Sequence, residues 1–411
     1  MQGKPRQDRI RAIERYSRGE SISTIASSLG YSRPWVYKWV QRFQKGTAQA
    51  GAWCEDQSTR PHTHPRRISD GMVERVKLAR LHLYNRGLFC GAQAIDWELQ
   101  EWGVQSRPSL RTINRILQRE ELTHRRTGRY ESKERKYPKL FAQSANEVHE
   151  MDYVGPCYLQ GPIRFYSLNS VDLATGRCAL SPVLSKAGQH TLDAIWSSWC
   201  RLGIPEKVQV DNEMVFYGSR QHPRGMGILI RLCLLNGVEP WFIPLAEPWR
   251  NGVVEKFNDH YQNGFLRRVL VRGEKDLRRK SLAFEQKHNT RYRYSKLKGQ
   301  TPEMALKQCQ ARIRFPASAE APRHPLAKPQ EGRYHLVRFI RSDGRLDIFG
   351  EQYRMPSEAV YEYVVASIDV GREKLQVQVD GRTIEQYPHP MRWAPRDGGE
   401  SYSSRPCGLL P

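Results

Sequence analysis

The sequence predicts a multidomain chain in which all-α helix-turn-helix units precede an α/β core and a C-terminal all-β barrel. Apolar residues recur at helical spacing across residues 8–122. Strands alternate with helices between about 147 and 270, and short β-rich runs separated by hairpin turns fill 334–386. A length of 411 residues also suits several domains better than one core.

Charge narrows the partners. Lys and Arg total 66 against 43 Asp and Glu, a formal charge of +23 with a pI near 9.8. Such an excess speeds encounter with a phosphate backbone and adds salt-sensitive affinity that ignores sequence, so double-stranded DNA is the expected partner and a membrane is not. No segment offers the ~18 consecutive apolar residues of a bilayer span. Met1–Ile10 lacks the apolar stretch of a signal peptide, and a cytoplasmic, nucleoid-associated location is expected. The eight cysteines (54, 90, 157, 178, 200, 233, 309 and 407) form no CxxC pair and read as reduced thiols.

Residues 1–50 read as the first helix-turn-helix unit. Ile10, Ile13 and Tyr16 mark one helix, ended by Gly19; Ile22, Ala26 and Leu29 mark a second; Gly30 supplies the turn. Ser32-Arg33-Pro34 opens a third helix with a cap and an early proline, and Val36, Trp39, Val40 and Phe43 form its apolar stripe. Arg33, Lys38 and Arg42 on that helix are the candidates for a major groove, a small structural bundle being the alternative. Ser58–Arg67 is rich in Pro, His, Thr and Arg and reads as a linker. Its His62 and His64 lack further ligands, and no zinc module is visible.

Residues 66–122 repeat the pattern through Val73, Val76 and Ala79, then Ile95 and Leu99, then Leu110, Ile113, Ile116 and Leu117. Its third helix is expected to open at Ser106-Arg107-Pro108, echoing the first unit, with Arg107, Arg111 and Arg115 as DNA contacts. A basic linker at 123–144 follows.

The core is expected over 145–310. Val148–Tyr153, Phe165–Leu173 and Cys178–Leu184 form a meander with turns at Gly155-Pro156 and Thr175-Gly176. Helix Thr191–Leu202, strand Lys207–Val210, helix Met226–Leu235, strand Pro240–Pro244 and a long helix Gly252–Leu270 complete it. This order suggests an RNase H-like sheet. Asp152 lies on the first strand, Asp211 just after the VQV strand, and Glu255 one turn into the last helix, so three acids from three elements can converge. Hard divalent cations take oxygen ligands, and a pair of them needs shared carboxylates. Without cations the three acids would repel and raise one another's pKa. Asp172 is expected to cap its turn, while His149 and Asp259 stay open. Asn212, Asn251, Arg250 and Lys256 flank the acids and could position DNA, although capping alone would explain Asn251.

HEMDYVG, VQVDNE and EPWRNGVVEKFN, read in order, resemble the three motifs of integrase-core, DDE-type insertion-sequence transposases. Asn289-Thr-Arg and Leu297-Lys-Gly299-Gln-Thr301-Pro302 resemble the end of that core, so the resemblance spans about residues 1–310. It implies an RNase H-like catalytic core with Asp152, Asp211 and Glu255 as ligands of two Mg²⁺ (or Mn²⁺) ions. It also implies 3′-end cleavage of a mobile element and strand transfer into target DNA. Two departures stand out: Glu213 replaces the glycine that commonly follows the Asp-Asn pair, and 43 residues separate Asp211 from Glu255, more than is usual. GSRQHPRGMG at 218–227 is the candidate insertion. These departures also motivate an alternative, a catalytically inactive DNA-binding regulator or assembly protein on the same core.

Ala317–Pro329 reads as an extended linker within 311–330. Runs at 334–341, 345–349, 352–355, 360–369, 374–379 and 382–386, with Asp343-Gly344 and Asp380-Gly381 turns, suggest a small SH3-like barrel over 331–387. Residues 388–411 read as a disordered tail. Joining two DNA ends by one chemistry makes a homodimer or tetramer the expected assembly.

Overall fold

The computed structural model describes residues 4–45, 52–55, 68–123, 136–159, 163–218 and 224–391. The linker at 58–67, most of the basic linker, the middle of the 218–227 insertion and the tail beyond 391 lie outside the described residues. The chain divides into two compact units, Met1–Ser69 and Asp70–Pro411.

The first unit is three helices, α1 (Lys4–Ser17), α2 (Ile22–Leu29) and α3 (Arg33–Lys45), with a 3₁₀ turn at Ala52–Cys54. Local chemistry sets the boundaries. The Ser21 hydroxyl accepts the Thr24 amide at 3.2 Å, and Gly30 closes α2 in the left-handed region at φ 72° while the Tyr31 amide reaches back to the Ala26 carbonyl. Ala12, Ile13, Ile25, Ala26, Val36, Trp39 and Val40 form the buried core. Phe43, expected in that stripe, is instead largely exposed, its ring edge-on to Trp53.

In the second unit, α4 (Asp70–Asn85), α5 (Ala92–Glu101) and α6 (Leu110–Arg119) form the other expected helical trio. Val73, Val76, Ala79, Ile95, Leu99, Ile113, Ile116 and Leu117 are buried as their spacing requires, whereas Leu110 is exposed. Ser106-Arg107-Pro108 does not open the third helix. Ser109 caps it, accepting the Thr112 amide at 3.3 Å, so the tripeptide shared with α3 occupies a different place in each unit. These helices pack on the core, where the Tyr292 hydroxyl donates to the Gly87 carbonyl, Arg293 pairs with Glu101, and Gly299 leaves room for the Trp97 indole.

A mixed sheet organises the rest. The strands are β1 (Val148–Tyr158), β2 (Arg164–Asp172), β3 (Cys178–Val183), β4 (Lys207–Val210) and β5 (Glu239–Phe242). Between and after them run α7 (Gly188–Leu202), α8 (Met214–Tyr217), α9 (Ile228–Leu235), α10 (Gly252–Tyr261), α11 (Glu274–Arg291) and α12 (Pro302–Gln308). The first three strands form the expected antiparallel meander, and β4 and β5 add in parallel on the other side of β1. Gly155-Pro156 is not a turn, because β1 continues past it through a register shift between Val154 and Cys157. Gly155 has φ 122°, and an added Cβ would sit 3.0 Å from the Phe165 carbonyl oxygen. The last expected helix also ends early: α10 passes into a π-helical turn at Gln262–Leu266.

A separate SH3-like barrel is not what the C-terminal strands build. β6 (Arg333–Phe339) pairs in parallel with β5, placing His335 opposite Trp241 and Leu336 opposite Phe242. β9 (Tyr363–Asp369), β10 (Lys374–Val379) and β11 (Arg382–Pro388) extend this into a nine-stranded sheet among the described residues, ordered β11-β10-β9-β6-β5-β4-β1-β2-β3. β7 (Arg345–Ile348) and β8 (Glu351–Arg354) pair only with each other. Strand alternation fixes which face of a strand is buried but not which edge it joins, so the sequence pattern could not show this union. The β5 edge gains hydrogen-bond partners, and one apolar core runs from Trp199, Val210 and Phe242 through Leu336, Ile348 and Phe349 to Ile368 and Val377.

The 218–227 segment is closed at its base by a glycine with no room for a side chain. A Cβ on Gly227 would stand 2.3 Å from the Phe216 carbonyl oxygen and 2.5 Å from the Gly218 nitrogen. Gly227→Ala is therefore expected to lower stability by about 1–3 kcal/mol, the usual range for forced overpacking, read as a shifted midpoint in urea. An unchanged midpoint would contradict this packing.

Candidate active site

β1 and β4 lie side by side in parallel, with His149 opposite Val208 and Glu150 opposite Gln209. Two residues further along come Asp152, inside β1, and Asp211, the first residue past the carboxyl end of β4. The pleat alternates side chains, so Asp152 shares a face with Glu150, and Asp211 with Gln209. The Gln209 amide donates to the Glu150 carboxylate at 3.2 Å, which confirms that those two residues meet across one face.

Helix α10 covers that face. The Glu150 carboxylate accepts the backbone amides of Val253 and Val254, each at 2.9 Å, and the Asn251 side chain donates to the Met151 carbonyl at 3.0 Å. A turn later, Asn258 donates to Asp152 Oδ2 at 2.8 Å. Glu255 is carried between these attachments, one residue after Val254 and three before Asn258. Asn258 is itself oriented by Asn169, whose amide donates to Asn258 Oδ1 at 2.8 Å, and the Ser167 hydroxyl fixes Asn169 in turn. On this same side, Val254, Phe257 and Tyr261 pack with Val154, Phe165 and Val171.

The electrostatics are those of crowded, poorly hydrated acids. Burial, then the neighbouring Asp211, pushes Asp152 up to about 7. Burial and Glu213 push Asp211 up to about 6, although the Glu213 amide donates to its Oδ1 at 3.1 Å. Glu255 is raised by burial and by Asp259, and burial pushes Glu150 up to about 7. Glu213 does not stand as a free extra charge: the Lys186 ammonium lies 2.5 Å from its carboxylate and over the Tyr153 and Tyr166 rings. Among the described residues no three His, Cys, Asp or Glu side chains stand close enough together to hold a metal ion. Asp152, Asp211 and Glu255 thus come to one face and within electrostatic reach, with Asn258 engaging one carboxylate oxygen of Asp152.

Comparison with known proteins adds one domain assignment. Residues 5–52, from α1 to the 3₁₀ turn, match the model of a homeodomain-like domain. A search of curated proteins gave no match. Among solved structures the chain is similar to the HTLV-2 integrase catalytic core domain in complex with magnesium. The trimeric form gives a TM-score of 0.31 at 16% identity, covering 39% of this chain and 97% of that one. The dimeric form gives 0.29 at 16%, covering 40% and 97%. A simian T-cell lymphotropic virus intasome in complex with PP2A regulatory subunit B56 gamma gives 0.36 at 12% identity, covering 77% and 99%. Likenesses at these TM-scores carry no argument about this chain.

The basic candidates divide. Arg33 and Lys38 are exposed on α3, and Arg42 is half-buried with its guanidinium 4.7 Å from the Trp39 ring. Arg111 and Arg115 are exposed on α6, as is Lys256 on α10. Arg107 lies ahead of α6 and pairs with Asp96 at 3.0 Å. Arg250 is already committed within the protein: its guanidinium pairs with Glu247 at 2.9 Å, donates to the Tyr363 hydroxyl at 3.0 Å and covers the Tyr137 ring. Asn251 is buried and ties β1 to α10, a larger role than a cap. Asp172 does cap its turn, accepting the Thr175 amide at 3.0 Å, and also accepts the Asn146 amide. His149 is fully buried on the opposite pleat face, bonded to Asn146 and held down to about 4 by burial.

Glu150, Asn169, Asn258, Lys186 and Arg338 are the site's supporting residues that sequence reasoning missed. Only Glu150 carried a signal: its two-residue spacing from Asp152 puts both carboxylates on one face of a strand.

Proposed function

We propose that this chain is a DDE-type transposase that binds the terminal inverted repeats of a mobile element. It would catalyse metal-dependent 3′-end cleavage and strand transfer into target DNA. One observation carries the reading: Asp152 on β1 and Asp211 at the end of the adjacent parallel strand β4 come within electrostatic reach of each other and of Glu255, on the helix fastened over them. The homeodomain-like domain and the net charge of +23 supply the DNA-binding half of the argument.

The donor chemistry fits two Mg²⁺ or Mn²⁺ ions, since all three side chains offer hard oxygen ligands, and burial together with neighbouring acids raises the pKa of each. Bound cations would supply Lewis-acid stabilisation of the phosphate and activation of a water or 3′-hydroxyl. The chain's own residues hold the acids: Asn258 orients Asp152, Glu150 fastens the start of α10, and Lys186 neutralises Glu213. Exposed Lys256, beside Glu255 in sequence, is available to a DNA phosphate. Two ends must be processed together, which calls for a homo-oligomer on DNA. The second reading, an inactive DNA-binding assembly protein, draws on the Asn258 amide that engages Asp152 and on the absence of a ready three-acid cluster among the described residues.

Purified full-length protein, offered duplexes carrying the ends of its own element, is expected to nick them only when Mg²⁺ or Mn²⁺ is present. Retained DNA binding without any metal-dependent cleavage would give the second reading the preference.

A further inference from the structure

We propose that the C-terminal sheet is a working part of the candidate active site, with Arg338 of β6 acting as a positioning residue for Asp211 through Asn212. This rests on the functional reading above and names the residues that would set the geometry of one of its acids.

Arg338 is buried near the end of β6 that lies beside the carboxyl ends of β4 and β5. A buried guanidinium is costly unless its donors are met, and here they are. Nη1 donates to the carbonyls of Ile243 at 3.2 Å and Val337 at 2.9 Å, Nε donates to Asp347 at 3.3 Å, and Nη2 donates to Asn212 Oδ1 at 2.8 Å. The other end of the Asn212 amide donates to the same Ile243 carbonyl at 2.6 Å, which fixes which way the amide faces. Asn212 directly follows Asp211 and is held at both polar atoms, one of them by a side chain more than a hundred residues away.

Asp211 has little else to hold it. β4 ends at Val210, and Asp211 begins a loop in which the Glu213 amide donates back to its carboxylate. A carboxylate on a loop must be pinned by its neighbours to serve a metal site, because small displacements of a ligand are costly. The β6 to β5 register and the shared apolar core make the anchor stiff: Phe349, 6.0 Å from the Arg338 guanidinium, stacks on Tyr217 of α8 at 4.3 Å. On the neighbouring loop, which leads into α10, Tyr363 of β9 donates to Glu247, the residue that also pairs with Arg250. The same sheet therefore reaches both loops that border the acids.

The test uses the full-length chain and compares Arg338→Met, Asn212→Ala and the double variant. Arg333→Ala, at the far end of β6 where Arg333 pairs with Asp369, serves as the control. Mn²⁺ binding is read by electron paramagnetic resonance, alongside kcat and KM for metal-dependent nicking of the element ends. Arg338→Met and Asn212→Ala are each expected to weaken Mn²⁺ binding about 10-fold or more, the usual cost of losing a partner that orients a ligand. Both should lower kcat while KM for DNA stays unchanged, and the double variant should be no worse than the worse single one. Arg333→Ala should match wild type. Wild-type Mn²⁺ affinity and kcat in Asn212→Ala would overturn the inference, and this holds even if Arg338→Met fails to fold. Strictly additive losses in the double variant would overturn it too. Should the wild-type chain bind no Mn²⁺, the functional reading falls with it; if wild type binds and both variants bind equally, only the positioning role falls.

Discussion

Asp152→Asn is expected to abolish metal-dependent cleavage, by on the order of 10³-fold, while making the metal-free protein more stable above neutral pH. The second half follows from linkage. Burial and Asp211 raise the Asp152 carboxyl from 3.8 to about 7, so the folded protein resists ionising it. Below about 3.8 the group is protonated in folded and unfolded chains alike and its stabilising share is fully present. As pH rises through about 7 that share is lost, because the unfolded chain releases the proton more readily. At about 1.4 kcal/mol per pH unit the penalty would reach roughly 4 kcal/mol. Partial exposure screens it, so we expect Asp152→Asn to gain about 1–3 kcal/mol at pH 8, nothing from this source below about pH 4, and no advantage once Mg²⁺ saturates the wild type. Thermal unfolding at both pH values, with and without metal, reads this. Equal melting at pH 8 without metal would mean that neither burial nor the neighbouring acids penalise the Asp152 carboxylate.

The second large effect concerns the C-terminal strands. A chain ending at residue 330 is expected to lose the folded state of the whole core, whereas removal of an independent barrel would leave the core intact. Truncation would expose the pairing edge of β5 and strip Tyr334, Leu336, Ile340, Leu346, Ile348, Phe349, Val364, Ala366 and Ile368 from one continuous core. Burial of each large apolar side chain is worth about 1.5–3 kcal/mol, and a domain has only about 5–15 kcal/mol in all, so the loss exceeds what remains. The uncovered β5 edge would also offer an unpaired strand to other molecules. Circular dichroism and sizing of the 1–330 chain would decide the matter: a monomeric, cooperatively melting species would show that the sheet is divisible after all. The three-helix domain at 5–52 should fold in either chain, since its core is its own.

Several elements were legible because the responsible physics is local. Ser21, Gly30 and the stripe of Val36, Trp39 and Val40 announce a helix-turn-helix unit through caps, a left-handed turn and 3.6-residue spacing. The meander and the alternation of β4, α9 and β5 followed from strand-length apolar runs bounded by turn residues. Helix α11 was silent by the same logic: its buried face carries Ser281, Glu285, His288 and Asn289 beside Leu277 and Phe284. Those polar groups are buried because they serve others, Glu285 pairing with Arg201 and accepting the Leu180 amide, and Asn289 bridging both backbone groups of Cys178. A search for apolar periodicity cannot see a helix that docks by hydrogen bonds.

The sequence by itself determined most of the elements, the choice of Asp152, Asp211 and Glu255 as candidate acids and the strongly basic character, since each depends on residue type and short spacing alone. Only the tertiary structure decided that Glu150 and Asn258 fasten α10 to β1, that Arg250 serves the protein's interior, and that β6 joins β5 so that Arg338 reaches Asn212. The reason is that strand-edge pairing and long-range hydrogen bonds are chosen among many chemically equivalent partners. That choice is made by how the apolar faces pack, and no local pattern of residues encodes it.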